Sequence, residues 1–418
     1  MGLSSFLAKR FYASAAHDKN RRATGLAIRI ATVGVAVGLA VMLVSISVVK
    51  GYQEEVRNKL TGFTSHVEVL DIRSLSSPES YPIATDRELV EQVKRVPGVT
   101  RVERVSQKMG ILKTEEAFHT IVLKGVGKDY DLGFIRSQLV EGKMPSFGSS
   151  SGSNEVLVSR LQAEELGLKV GSRVYAYFIG DDIKLRRFTV SGIYETHLNQ
   201  FDDYFVWADI ATVGRLNGWQ DDQSSTLEVY ASDFDDVDRV QVGVGHLLNG
   251  RTDRYGVPYN SMSVKENPRT GSVVQWLSLL DFNVWVIFAL MAGVAGFTMI
   301  SGLLILILER TGTIGVLKAI GATNMRLRHT FILYAAFIVL RGMLWGNVVG
   351  LGIIAAQKFW GIIKLDPSKY YVSEAPVAFE PWWIIGINAG TLIICVLALV
   401  IPSFVVSRIQ PAKAIRFE

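Results

Sequence analysis

Four long stretches that are almost free of charge constrain the fold more than any other feature of this sequence. Residues 30–49, 282–308 and 381–407 contain no charged residue, and residues 330–357 contain only Arg341. A helix needs about 20 mostly apolar residues to cross about 30 Å of hydrocarbon. A buried helix of a soluble protein imitates one such run, but hardly four. We therefore expect four transmembrane helices.

The composition agrees with a chain in which apolar and polar segments are separated. The 418 residues are 49% hydrophobic and 20% charged, and the mean hydropathy is +0.26. The first apolar run is longer than the core of a signal peptide, and no small-residue cleavage site follows Val49, so we expect it to be retained. The only cysteine, Cys395, lies in the last run, which excludes disulfides and cysteine-based metal sites.

Basic residues concentrate in the N-terminal segment, in residues 309–331 and in the C-terminal tail. They are Lys9, Arg10, Lys19, Arg21, Arg22, Arg29, Arg310, Lys318, Arg326, Arg328, Arg408, Lys413 and Arg416. The positive-inside rule places these three segments in the cytoplasm and residues 50–281 outside. The basic balance therefore reflects membrane topology, and no nucleic-acid-binding motif accompanies it.

The long external segment has the pattern of a mixed α/β domain. Residues 65–71 alternate as a strand, and residues 85–99 predict a helix with Thr85 as N-cap and Glu88 in the capping-box position. Residues 110–126 predict a hairpin. A β-rich stretch follows from residue 155, with a tight turn at "IGDD", and a strand and a helix close the segment after residue 225.

These patterns favour a discontinuous α/β module, 50–138 and 226–270, with a small β-rich module, 139–225, inserted into it. The full expected order is a cytoplasmic amphipathic segment (1–26), a first span (27–49), the external domain (50–281), a second span (282–308), a cytoplasmic helix (309–329), a third span (330–357), a short external loop (358–380), a fourth span (381–407) and a cytoplasmic tail (408–418). The amphipathic segment fits either a helix in the headgroup layer or an ordinary packed helix start.

No motif for catalysis or cofactor binding is present. The sequence has no G-x-x-x-x-G-K-[ST], G-x-S-x-G or H-E-x-x-H pattern, and its six histidines show no metal-ligand spacing. The acids between Asp233 and Asp238 lack the glycine and the distal glutamate of a calcium loop, and they fit the start of a helix. We expect no cofactor, no metal and no enzymatic activity.

Arg341 is expected near the bilayer midplane, where a charge costs at least about 2.5–3.5 kcal/mol. It should therefore face protein or a wet cavity. Two roles stay open: a guanidinium bonded to a neighbouring helix, or a contact in a dimer seam or substrate path.

The polar segment between the second and third runs predicts a short amphipathic helix at the membrane surface. Its apolar positions are Ile314, Leu317, Ile320 and Met325, and its cations are Arg310, Lys318 and Arg326. Such a helix, tied to two spans, can receive force from a cytoplasmic machine. The alternative is an ordinary interfacial loop.

Several motifs resemble one family. "ILERTGTIGVLKAIGAT" is similar to the coupling-helix motif E-R-x-x-E-I-G-x-L-[KR]-A-[LI]-G-A of the FtsX-like and MacB-like ABC transporter permease superfamily, and "QPAKAIRFE" is similar to its terminal pattern. The residues after the first run resemble the lipoprotein-releasing branch; they are Gly51, Tyr52, Glu55, Val56, Arg57, His66 and Val67.

The resemblance implies a non-catalytic permease in a bacterial inner membrane, with a cytoplasmic ABC ATPase dimer and a second permease subunit as partners. It further implies release of acylated lipoproteins, with membrane lipids and a periplasmic lipoprotein carrier as contacts. Thr313 and Gly312 depart from the coupling motif, and the tight "YFIGDDIKLRRF" hairpin argues against direct recruitment of the carrier. The alternatives are an efflux or peptide-export permease and a regulator of a cell-wall hydrolase.

Overall fold

The computed structural model describes residues 22–405, apart from residues 78, 116, 150, 151 and 181. The predicted amphipathic segment up to residue 21 and the terminal "QPAKAIRFE" motif lie outside the described residues. The chain divides into two compact units. We call one the membrane unit (up to Gln53, Ser278–Lys364 and from Glu374) and the other the α/β unit (Glu54–Leu277 and Leu365–Ser373).

Short helices are interspersed among the strands of the α/β unit, and long helices make up most of the membrane unit. The helices are α1 (Arg22–Phe63), α2 (Arg73–Ser76), α3 (Arg87–Lys94), α4 (Gly133–Ser137), α5 (Arg160–Glu165), α6 (Asn199–Asp202), α7 (Ile210–Asn217), α8 (Val237–Leu248), α9 (Gly271–Glu309), α10 (Thr311–Ala319), α11 (Asn324–Trp360), α12 (Pro367–Tyr370) and α13 (Pro381–Ser403). The strands are β1 (Val67–Leu70), β2 (Ile83–Ala84), β3 (Val99–Lys113), β4 (Phe118–Val126), β5 (Leu139–Gly142), β6 (Glu155–Ser159), β7 (Arg173–Phe178), β8 (Lys184–Tyr194), β9 (Phe205–Asp209), β10 (Gln223–Ser224), β11 (Thr226–Ala231) and β12 (Asn260–Ser263).

Four helices are long and apolar enough to cross a membrane, as the sequence predicts. They are α1 from Ile28, α9, α11, and α13 up to Val400. Both α1 and α9 continue beyond their uncharged runs, so each also contributes residues to the α/β unit.

Close contact between α1 and α11 depends on a row of glycines in α11. A Cβ atom added at Gly346 would lie 2.8 Å from the carbonyl oxygen of Ala36, and one at Gly342 would lie 2.9 Å from that of Thr32. Small residues at such positions let helix backbones approach each other in a membrane. α11 also bonds to α13, because the side-chain amides of Asn347 and Asn388 donate to each other at 2.7 and 3.0 Å.

The α/β unit contains a ten-stranded sheet with strand order β12-β1-β11-β3-β4-β9-β6-β8-β5, and β7 pairs with both β3 and β8. The strands β3, β4, β9, β6, β8 and β7 therefore close into a ring. The expected β3–β4 and β7–β8 hairpins are confirmed. Strands of the predicted 139–225 insertion share this ring with β3 and β4, so the insertion has no sheet of its own.

Two apolar cores follow from this arrangement. One fills the ring and includes Leu123, Val158 and Phe188. The other packs against the end of α1, where the Phe63 ring stacks on Phe201 with 5.2 Å between centroids.

The predicted N-cap of α3 is wrong by one residue. Asp86 is the cap, and its carboxylate accepts a hydrogen bond from the Leu89 amide at 2.9 Å. The Thr85 hydroxyl instead lies 2.8 Å from the Ser224 hydroxyl, in the two-stranded β2–β10 sheet region. Both residue types are good caps, but the Thr85 hydroxyl is bonded to Ser224 and Arg104, which are distant in the sequence.

Candidate functional site

The segment predicted to couple to a motor protein folds as a short helix and a sharp turn. α10 ends at Ala319 with Ile320 as its C-cap, and the next residue, Gly321, has a φ of 96°, a left-handed conformation that suits glycine. Thr323 then caps α11 by accepting a hydrogen bond from the Arg326 amide. Met325 and Arg326 therefore lie in the first turn of α11 rather than on α10.

The four predicted apolar positions do not share one surface. Ile314 is 1% exposed within the membrane-unit core, and Leu317 is half-buried against it. By contrast, Ile320 is 76% exposed and Met325 is 64% exposed. Val316, which lies outside the predicted helical periodicity, is 52% exposed. Ile314 and Leu317 thus hold the segment to the spans, while the other three form an exposed apolar surface.

Three cations lie in the same segment as these exposed apolar residues. Arg310 and Lys318 are half-buried, and Arg326 is exposed. Burial lowers the pKa of Lys318 below its usual value. Arg328 stacks on the Phe404 ring, with 3.8 Å between the guanidinium carbon and the ring centroid. The exposed apolar residues and the nearby cations form a surface suited to a protein partner with acidic and apolar groups.

Arg341 lies on the exposed side of α11 in the single chain, beside Leu340 and Leu344. Its two predicted roles stay open.

The small residues of the first two spans serve mainly in packing. A Cβ atom at Gly34 would lie 2.9 Å from the Thr298 methyl group, and one at Gly302 would lie 3.2 Å from Ala31. At Gly293 it would meet no atom within 4 Å.

A buried charged network lies in the α/β unit. Lys124 and Glu228 are 0% and 1% exposed and form an ion pair at 2.7 Å. The hydroxyl groups of Tyr130 and Tyr230 both donate to the Glu228 carboxylate at 2.9 Å. The Lys124 ammonium also donates to the carbonyl oxygen of Phe63, at the last residue of α1. The sequence carried a signal for this network, because Lys124 and Glu228 are single charges within apolar strands.

Three glutamates lie side by side on neighbouring strands of the sheet. Glu228 of β11 is directly opposite Glu68 of β1 on one side and Glu103 of β3 on the other. Burial, with the nearby Glu228 carboxylate, raises the pKa of Glu68 to about 7. Burial likewise raises the pKa of Glu103 to about 7. Glu68 also lines a cavity of about 320 Å³ with Asn267 and Arg269.

One histidine is brought together with two distant carboxylates. The Nδ1 atom of His119 lies 2.9 Å from Glu165, and its Nε2 atom lies 3.3 Å from an Asp203 carboxylate oxygen. Burial lowers the pKa of His119, but hydrogen bonds to Asp203 and Glu165 outweigh it and raise the pKa above its usual value. The ligand atoms are close enough for a metal ion. However, Nδ1 faces the Glu165 carboxylate and Nε2 lies 2.7 Å from the backbone carbonyl oxygen of Asp203, so both ring nitrogens face acceptors, which is the arrangement of a protonated imidazolium rather than of a ligand with a free lone pair.

Comparisons with known proteins agree with this architecture. The family model described as "MacB-like periplasmic core domain" matches residues 30–246, more than half of the chain. The model described as "FtsX-like permease C-terminal" matches residues 285–411. The chain therefore belongs to the family with a MacB-like periplasmic core domain, and its fold is that of an FtsX-like ABC transporter permease with four membrane helices.

Individual relatives are more distant. The chain is 22% identical to the lipoprotein-releasing system transmembrane protein LolC of Xylella fastidiosa, over 92% of both chains. It is 22% identical to LolE of Haemophilus influenzae, over 93% of this chain and 94% of that one. It is also 23% identical to the pyoverdine export ATP-binding/permease protein PvdT of Pseudomonas savastanoi, over 96% of this chain but 58% of that one.

Proposed function

We propose that this chain is the permease subunit of an ABC complex that releases acylated lipoproteins from the bacterial inner membrane toward the outer membrane. The exposed residues Val316, Ile320 and Met325 carry the proposal, because exposed apolar side chains with cations in the same segment suit a protein partner. In this proposal a cytoplasmic ATPase dimer binds there, and a second permease subunit, identical or related, completes the complex. The chain lacks a phosphate-binding loop, so ATP is hydrolysed by the partner.

The lipoprotein cargo is supported by the LolC and LolE relatives, which this chain matches over nearly their whole length. The relative named for pyoverdine export supports a rival, an efflux permease. The name of that relative includes ATP binding, and this chain covers 58% of the length of that protein. A regulator of a cell-wall hydrolase is the other rival.

The docking surface is tested by adding charge where the structure tolerates it. The Ile320→Asp/Met325→Asp variant changes two exposed side chains, so we expect a stability change within about 0.5 kcal/mol. ATPase activity that co-purifies with the tagged full chain from its own membranes should be lost, because a carboxylate at the centre of an apolar contact is left desolvated and unpaired. Val242→Asp, at a residue 59% exposed in α8, is the matched control and should retain the activity. Undiminished co-purification in the double variant would refute the docking role.

The cargo is tested with the purified complex in liposomes that contain a triacylated lipoprotein, with a soluble acceptor outside. We expect the lipoprotein to appear on the acceptor only when ATP is hydrolysed. ATP hydrolysis without transfer would instead favour one of the rivals.

A further inference from the structure

A cavity of about 220 Å³ lies in the membrane unit between α1, α9 and α13. Its lining is apolar apart from Ser45 and one ion pair, Lys50 with Asp281. The apolar residues include Met42, Ile46, Val284, Phe288 and Ile387.

The sequence places the ion pair at the edge of the hydrocarbon. Lys50 directly follows the uncharged run of α1, and Asp281 directly precedes that of α9. Trp285 and Trp383 also line the cavity, and tryptophan is enriched where the bilayer meets water. Met42 lies about two helical turns inside the run from Lys50. The cavity thus has a charged mouth at headgroup level and an apolar interior at acyl-chain level.

The ion pair is accessible to a ligand. The Lys50 ammonium donates to Asp281 at 3.0 Å and to the Gln53 side-chain oxygen at 3.2 Å, and it lies 5.3 Å from the centroid of the Trp383 ring. The Lys50 and Asp281 side chains are 23% and 42% exposed. One cation and one anion are therefore presented side by side.

We propose that this cavity binds a membrane phospholipid whose headgroup carries a phosphate and a primary ammonium. The phosphate accepts hydrogen bonds from Lys50, and the ammonium donates to Asp281. An anionic headgroup is repelled by Asp281, and a quaternary ammonium has no N–H group to donate. The cavity is smaller than the 300–1,000 Å³ that is usual for a whole ligand, so it holds part of one acyl chain.

This site lies within a single chain and does not depend on the lipoprotein cargo or on the ATPase. Its failure and the failure of the proposed function are therefore separate results.

The experiment is a lipid titration of the delipidated full chain in detergent, followed by native mass spectrometry. Phosphatidylethanolamine, phosphatidylcholine and phosphatidylglycerol with identical acyl chains are the probes. We expect phosphatidylethanolamine to bind about tenfold more tightly than the other two, the effect of one hydrogen bond to a charged group. Equal binding of all three lipids would overturn the proposal.

Two variants locate the site. Gly386→Leu fills the cavity, since an added Cβ atom there meets nothing within 4 Å, and it should abolish the preference. Gly352→Leu is the matched control at an equally open, exposed position of α11 and should keep it. Asp281→Asn leaves Lys50 without its carboxylate, so the preference should shift to phosphatidylglycerol. An unchanged preference in both Gly386→Leu and Asp281→Asn would place lipid selectivity elsewhere and refute the site.

Discussion

The membrane unit and the α/β unit bury very different side chains. Among the described residues, every fully buried charged side chain belongs to the α/β unit, including Lys124, Glu103 and Glu228. The membrane unit is instead held mainly by apolar contacts and close approach at glycines, with a few polar contacts such as the Asn347–Asn388 amide pair and the partly exposed Lys50–Asp281 ion pair. Lipid is as apolar as a protein core, so shape must select the helix neighbours there. In the α/β unit, the buried Lys124 of β4 meets Glu228 of β11 only when the strands pair in the native register.

The largest expected effect is the loss of the buried ion pair. Lys124→Met leaves the Glu228 carboxylate buried without its cation, which should cost about 3–5 kcal/mol of unfolding free energy. Hydrogen exchange of the β3, β4 and β11 amides in the full chain measures the loss. Lys94→Met is the control, because the Lys94–Glu91 pair is exposed and such pairs contribute at most about 1 kcal/mol. If both variants exchange alike, the buried pair does not specify this core.

The second prediction concerns pH and Glu68. The pKa of Glu68 is about 7 in the folded chain, above its usual 4.5. The folded state therefore holds a proton that the unfolded state releases, and stability should fall as pH rises from about 4.5 to 7. Glu68→Gln should remove about 2–3 kcal/mol of this fall, at about 1.4 kcal/mol per pKa unit.

Denaturant unfolding of the α/β unit within the full chain, at pH 5 and pH 8, measures the difference. Glu88→Gln makes the same chemical change at an exposed position of α3 and should leave the pH dependence as it is. A parallel shift of both variants would contradict the role given to burial.

The third prediction tests shape in the membrane unit. Gly346→Leu forces α1 and α11 apart, since its Cβ atom would lie 2.8 Å from a backbone oxygen, and overpacking costs about 1–3 kcal/mol. The thermal midpoint of the full chain in detergent should fall. Gly352→Leu adds the same atoms in open space and should not lower it.

The smallest expected effect is the loss of the N-cap of α3. Asp86→Ala should cost about 1 kcal/mol, because the Leu89 amide loses its acceptor. Glu88→Ala removes a charge near the helix start and an exposed hydrogen bond from Gln92, and it should cost about 0.5 kcal/mol. Hydrogen exchange at the first amides of α3 distinguishes the variants, and equal exchange would contradict the cap assigned to Asp86.

Features set by continuous stretches of sequence, such as membrane spans and hairpins, were predictable. Contacts between residues that are distant in the sequence were not. Uncharged runs predicted the four spans, and the turn at "IGDD" predicted the β7–β8 hairpin. The meeting of His119 with Glu165 and Asp203 depends on β4, α5 and the end of α6, which no local pattern brings together.

The candidate docking surface was predictable in part for the same reason. Periodicity selected Ile320 and Met325, but it also selected Ile314, which packs inward, and it missed Val316. Gly321 lies in the turn between α10 and α11, and one helical period cannot describe residues on two separate helices.

The ring formed by β3, β4, β9, β6, β8 and β7 has a consequence for anyone who builds chimeras from this family. In the sequence, residues 139–225 have the pattern of a separate inserted module that could be exchanged for the corresponding module of a relative. Removing them would leave β3 without its partner β7 and β4 without its partner β9. Both would then be unpaired edge strands, which are prone to aggregation. A viable graft must therefore carry its own copy of the hairpin, with splice points near residues 99 and 225.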